Sequence, residues 1–479
     1  MTHSKTIISN NSNLSTLFSL ALVLVFLLQW VWPMPGTIAL RNGLLGLLLI
    51  LCVGSAIFAK SSSLDLSLKP LRWPILIFAV LTLWIFLIGV LGADEPDLSR
   101  KEFVSQWLLP IGCALIAWLL VRWATVCDRQ QALIKTVFYA FFSAIVIQTV
   151  MGLWFWWEVG AVPFRNASFL YIPRLIQNQL DNISYASVFD TQYVEKFSFF
   201  NNLFVALLLA ELVGRVLLRK RWLQVPNFIL LGGLFMAMLC SYWIRARNGS
   251  IELVLQFIIC GATMVFTYKG RYSFKRKLIF IIPVLTLILI LGIVFVKSDS
   301  RWQVFRESAA VAIDGDVQQA WLYRKNYPVL KNGEVVDLSA YERVSWIKEG
   351  VKLVQQYPFG TGFNRNAFFD TVDREYGLNG LVRGGHSHSG LIDFVVANGI
   401  PGVLMWLFFL ISCAYIGWRM VRSGEIAQGL AVMCLALGAI NRGAIDSNIR
   451  DHVLQQFLFL LTIYMTLNCA ATSRVTHGK

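Results

Sequence analysis

Three short stretches gather the side chains of this chain that are equipped for chemistry. The first, Ile244-Arg245-Ala246-Arg247-Asn248-Gly249, sets two arginines in a turn between apolar segments. A guanidinium at such a depth requires an anionic partner, and its planar fork suits phosphate oxygens taken two at a time. Two arginines reaching back to water from a helix end are the plainer account. The second stretch, Gly384-Gly385-His386-Ser387-His388-Ser389-Gly390-Leu391, holds two of the five histidines. An imidazole at a helix N-terminus has its charged form disfavoured, and nearby arginines push the same way, which leaves a neutral base able to accept a proton. The same residues also suit a polar helix cap, or a pair of metal ligands, although no Cys or close carboxylate completes a ligand set. The third stretch, Asn441 to His452, is too polar for an ordinary hairpin turn. Its Arg442, Asp446 and Arg450, at four-residue spacing, read most simply as a salt-bridged surface turn and otherwise as the lining of a shared mouth. Arg165 and Arg174 are further candidates of the same kind.

The elements that must carry these stretches are helices in lipid. Hydrophobic residues make up 57% of the 479 and charged ones only 14%, more apolar surface than a soluble globule can hide. One bilayer crossing takes about 20 mostly apolar residues. Such runs recur near 15–32, 37–59, 74–92, 103–122, 132–155, 198–218, 226–244, 250–267, 278–296, 388–418, 427–441 and 453–471. The expectation is an all-α polytopic membrane protein with about 12 transmembrane helices. The first run lacks a small-residue cleavage site with a hydrophilic start behind it, so it reads as a retained helix. All eight cysteines fall in these runs or a short loop, which predicts no disulfide and no Cys-rich metal site.

Short loops rich in Lys and Arg stay cytoplasmic, and one topology puts them all on one side. Segments 60–72, 122–135, 215–221, 269–277 and 419–422 fall at alternate turns, together with both termini. The formal charge of +15 is thereby accounted for without a nucleic-acid partner. The other side receives all three candidate stretches, a loop of about 40 residues at 156–197 and one of about 90 at 297–387. The larger loop holds 12 Lys/Arg and 11 Asp/Glu, a mixed-charge excursion. Within it, 341–356 reads as an amphipathic helix, with Val344, Ile347, Val351 and Val354 on one face and Pro358 ending it. The chain therefore divides into 1–296, the loop 297–387, and a helical remainder 388–479.

These residues resemble the O-antigen ligase and polymerase superfamily of bacterial surface-polysaccharide enzymes. The ligase signature is a His followed by Asn, Ser or Gln, then nine residues, then Gly-x-x-Gly. Here His388-Ser389 is followed by nine residues and then Gly399-Ile400-Pro401-Gly402. Upstream, Tyr341-Glu342-Arg343 through Trp346 to Tyr357-Pro358-Phe359-Gly360-Thr361-Gly362 is similar to the family's stretch ending in Pro-x-Gly-x-Gly. Arg247 aligns with its Ser-Arg-Gly-like turn, with Ala246 in place of the usual serine.

The resemblance implies a metal-independent glycosyltransferase without cofactors, in the bacterial inner membrane, with both termini cytoplasmic and the site facing the periplasm. Its donor would be an undecaprenyl-diphosphate-linked glycan and its acceptor lipid A-core, with membrane lipids as surroundings. His388 would be the general base, while Arg247 and Arg174 would hold the leaving diphosphate. Arg245, His386, Ser389, Arg343, Asp446 and Arg450 would contact substrate. The physical logic is independent of the name: a departing diphosphate needs fixed cations, and a sugar hydroxyl needs a neutral base within hydrogen-bond reach. A polymerase or a protein oligosaccharyltransferase would use the same chemistry on another acceptor. A transporter or flippase would show related halves and ionisable groups at mid-membrane, whereas this sequence shows no internal repeat and gathers its polar residues on one side.

Overall fold

The computed structural model describes residues 2–34, 36–58, 68–159, 194–218, 220–244, 247–267, 301–314, 319–323, 325–330, 333–382, 385–446, 449 and 451–477. Among them the regular structure is helical, apart from an isolated antiparallel bridge between Val329 and Val335. The first helices are α1 (Thr2–Val31), α2 (Ile38–Phe58), α3 (Lys69–Leu91), α4 (Pro96–Val126), α5 (Gln130–Val159), α6 (Val194–Leu218), α7 (Asn227–Ile244) and α8 (Arg247–Thr267). The large loop contributes α9 (Arg301–Asp314), α10 (Ala320–Tyr323), α11 (Leu338–Gln356) and α12 (Ala367–Glu375). The chain closes with α13 (Gly390–Arg422), α14 (Ile426–Ile445) and α15 (Asp451–His477).

Nine of the described helices are long and apolar enough to cross a membrane, and α7 and α15 contribute shorter apolar stretches, Asn227–Trp243 and His452–Leu467. The predicted span at 278–296 lies outside the described residues, as does nearly all of the loop at 156–197. The protein is a multi-pass membrane protein. Its outer surface carries apolar stripes at helical spacing, such as Ile400, Leu404, Phe408, Ile411 and Tyr415 on α13, the pattern of a helix that shows one face to lipid. At the centre is α6, apolar and buried on nearly every side, packed by α5, α7, α8 and α14.

The described loops lie at two ends of the bundle. At one end Lys220 Nζ lies 3.0 Å from Glu425 Oε1, and Lys135 donates to Gln224 at 3.3 Å. At the other, Arg374 pairs with Asp94, and Arg365 lies 2.9 Å from Glu102. The described residues of the candidate stretches belong to this second end.

The loop helices form a small module with its own core around Trp321, Tyr341, Trp346, Leu353, Phe368 and Phe369. Helix α11 starts three residues before the sequence-based expectation. Asp337 caps it, its Oδ1 accepting from Ala340 N at 2.9 Å. The expected apolar face is corrected as well. Ile347 and Val351 are 41% and 51% exposed, while Tyr341, Ser345, Trp346, Glu349, Gly350 and Leu353 are buried. Two large aromatics outweigh the β-branched residues in deciding which side turns inward.

Candidate functional site

The start of α13 fixes the histidine segment. Ser389 caps the helix, its Oγ accepting from Ile392 N at 3.4 Å and donating to the Gly443 carbonyl at 3.2 Å. Just before it, His388 has φ +56°, a left-handed conformation uncommon for a residue with a side chain and costing about 1–3 kcal/mol. The surroundings enforce it. Ser387 N donates to Asp393 Oδ1 at 2.9 Å, and Ser387 Oγ donates to the Ser389 carbonyl at 3.0 Å. The backbone N–H of His388 donates to His386 Nδ1 at 3.2 Å, which requires that nitrogen to be unprotonated. The two imidazoles lie 4.2 Å apart between centroids, and His388 stacks on Trp346 at 5.5 Å and 17°. His386 and His388 thus stand together, both half-buried.

Why α11 reaches His388 is answered by the two glycine motifs, which interlock. Helix α13 breaks at Gly399, whose φ is +72° and ψ −179°, and Pro401 follows. Into the break fits the Pro358–Gly362 turn: Ile400 N donates to Pro358 O at 2.8 Å, Thr361 N to Val396 O at 2.9 Å and Gly362 N to Ala397 O at 3.1 Å. A Cβ at Gly399 would lie 2.4 Å from the Phe359 carbonyl carbon, and one at Gly360 2.4 Å from Ala397 O. No residue but glycine fits either place. Phe363 N continues the junction to the Gly89 carbonyl at 2.6 Å, and Trp84 Nε1 donates to Asn398 O at 2.9 Å, so α3 braces it from behind.

The other wall comes from α8 and α14. Gly390 N donates to the Asp446 carbonyl at 2.8 Å. Asp446 Oδ2 accepts from Asn248 Nδ2 at 3.5 Å and lies 3.3 Å from Arg442 Nε. Arg442 Nη1 lies 2.8 Å from Glu252 Oε2, which also accepts from Asn202 Nδ2 at 2.9 Å, and the guanidinium sits 5.3 Å from the Phe199 ring centre. The predicted pairing of Arg442 with Asp446 is present, but not as a surface turn. Arg442 is 1% exposed, and α14 runs on through it to Ile445. Its neighbour Glu252, four helical positions past Asn248, makes it interior.

Of the residues singled out in the sequence, His386, His388, Ser389 and Asp446 are brought together. Arg247 is the first residue of α8, directly before Asn248, so its backbone joins the same cluster. The N-termini of α8 and α13, the positive ends of their helix dipoles, therefore meet at Asp446. Arg343 lies one turn before Trp346 on α11 and is half-buried. Arg165, Arg174, Arg245 and Arg450 fall outside the described residues. Among the described residues no three His, Cys, Asp or Glu side chains gather as metal ligands.

Sequence reasoning passed over Trp346 as a partner of His388, and over Asn202 and Glu252. The signal for the last two was present: a carboxylate and an amide inside apolar spans mark a polar interior.

Comparison with curated proteins gives no match. A family model described as O-antigen ligase matches residues 232–407, from within α7, through Arg247, the loop module and the histidine segment, to just past the Gly399 break. The chain is accordingly a multi-pass membrane protein whose residues 232–407 are similar to the O-antigen ligase family.

Proposed function

We propose that the protein is an O-antigen ligase of a bacterial inner membrane, moving a glycan from an undecaprenyl-diphosphate carrier to lipid A-core in the periplasm, without a metal. The observation that carries this reading is the position of His388. It is held in a left-handed turn between Trp346 and His386, and its helix is tied through Asp446 and Asn248 to the start of α8 at Arg247. That arrangement supplies a base beside an anion-attracting corner.

In the proposed reaction, His388 takes the proton of the acceptor hydroxyl as its oxygen attacks the anomeric carbon. The bond from that carbon to the diphosphate oxygen breaks, and the departing negative charge is held by Arg247, with Arg174 and Arg245. A single displacement of this kind inverts the anomeric configuration. His386, whose Nδ1 receives the His388 backbone N–H, orients the base. Ser389, Arg343, Asp446 and Arg450 line the substrate mouth. The basic end of the bundle is cytoplasmic, with both termini, and the histidine end is periplasmic.

The test is transfer in proteoliposomes, supplied with an undecaprenyl-diphosphate glycan, EDTA, and either lipid A-core or a second lipid-linked glycan. Glycan on lipid A-core is the expected product. A lengthened lipid-linked glycan would make the protein a polymerase, and transfer to neither would point to a protein acceptor or to transport.

A further inference from the structure

A single exposed phenyl ring has no meaning by itself, but the neighbours of Phe359, which is 61% exposed in the Pro358–Gly362 turn, give it one. Its backbone lies against Gly399, where an added Cβ would be 2.5 Å from Phe359 Cα, and Ile400 N donates to Pro358 O at 2.8 Å. Ile400 is the first residue of the lipid-facing stripe that runs along α13 through Leu404 and Phe408. On the other side the Phe359 ring lies 6.5 Å from that of Trp84 on α3, where the nearby Leu83 and Leu87 are 55% and 46% exposed. Phe359 therefore continues a surface that two membrane helices already turn to lipid.

Two independent counts give its depth. Helix α3 crosses from Lys69 to Leu91, and the acidic turn Asp94-Glu95-Pro96-Asp97 follows, so the hydrocarbon at the histidine end stops near Leu91. Trp84 lies below that edge by about 10 Å at α-helical rise, and by somewhat less in the π-helical winding of Ile85–Leu91. Helix α13, with 33 residues, is longer than a bilayer needs, and its last turn carries Arg419 and Arg422. Counted back from Arg419, the about 20 residues that cover the hydrocarbon end at Gly399. The two counts place Phe359 between the hydrocarbon edge and a level about 10 Å beneath it, among acyl chains rather than water.

The loop module reaches this level because α11 descends along α13. Gly350 packs on Ile392, where a Cβ would meet Ile392 Cγ2 at 2.5 Å, and further along both segments Pro358 meets Ile400. The charges of α11 stay behind: Lys348 Nζ donates to Ile313 O at 3.0 Å, and Lys352 pairs with Glu349. From Leu353 to Phe363 the chain carries no charged residue.

We propose that the Pro358–Gly362 turn is a membrane anchor, with Phe359 inserted among the phospholipid acyl chains of the leaflet at the histidine end. The bilayer then fixes the height of α11, and with it the position of Trp346 against His388.

The test reads depth and is independent of any transfer activity. Phe359→Cys is labelled with bimane in the full-length protein in liposomes. Phe408→Cys serves as the lipid-facing reference and Ile313→Cys, at a residue 63% exposed beside Lys348, as the aqueous one; labelled wild type gives the background from native cysteines. The label at position 359 is expected to lose most of its emission to a nitroxide near the headgroup end of a phospholipid acyl chain, and little to iodide on both sides of the membrane. At Ile313→Cys the order reverses. Iodide quenching at position 359 equal to that at Ile313→Cys, with no response to the lipid nitroxide, would overturn the proposal. Hydroxyl-radical oxidation of the wild type in lipid nanodiscs needs no variant: protection of Phe359 supports the anchor, and oxidation in proportion to its 61% exposure contradicts it.

Discussion

The indole of Trp346 lies flat against the imidazole of His388, 5.5 Å between ring centres and 17° from parallel. One residue belongs to the loop module and the other to the approach to α13, so the stacking joins two parts of the chain at the proposed base. It also restricts the imidazole to one plane. A base held in one plane needs no reorganisation when the acceptor arrives.

His386 is expected to act through His388 rather than on substrate. His386→Ala removes the acceptor of the His388 backbone N–H and should lower transfer by roughly 10-fold, less than removal of the base itself. Because the role is orientation, kcat should fall while KM for the donor stays near the wild-type value. A rise in KM alone would assign His386 to substrate binding.

The Arg442–Glu252 pair should behave as a buried charge pair. Arg442→Met leaves Glu252 buried with a charge it cannot share, at a cost of about 3–5 kcal/mol. Adding Glu252→Gln should restore part of that loss, since both charges are then gone. Thermal melting of the two single variants and the double variant measures the coupling, and strictly additive losses would refute it.

At Gly399 even a methyl group has no room. Gly399→Ala combines a left-handed backbone with a Cβ only 2.4 Å from the Phe359 carbonyl carbon, a loss of about 1–3 kcal/mol or more. Its larger effect should be on activity, because the Pro358–Gly362 turn and the α11 that precedes it are set by this junction. Wild-type transfer in a well-folded Gly399→Ala protein would separate the junction from the site.

Much of this was legible from the chain, and particular residues show where legibility stopped. Apolar runs located the described membrane helices because lipid makes length and composition decisive. The helix over 341–356 was visible from its period and from Pro358, but its inward face was not: Ile347 and Val351 have the spacing, and Tyr341 and Trp346 have the area. The burial of Arg442 depends on Glu252, a partner far away in sequence, and local spacing carries no record of it. The glycines of the two motifs were readable as motifs. Their physical reason, two backbones passing within van der Waals reach, appears only when the turn and the broken helix are seen together.

Arg247→Lys should be severely impaired in transfer with unchanged folding. An ammonium keeps the charge but cannot reproduce two parallel bonds to diphosphate oxygens. Wild-type rates in that variant would reduce Arg247 to a structural arginine.

The central claim is that His388 deprotonates the acceptor. It is tested by glycan transfer in proteoliposomes with wild type and His388→Ala, matched for insertion and Tm. The prediction is a loss of about 100-fold or more with the fold intact; wild-type transfer by well-folded His388→Ala would contradict it.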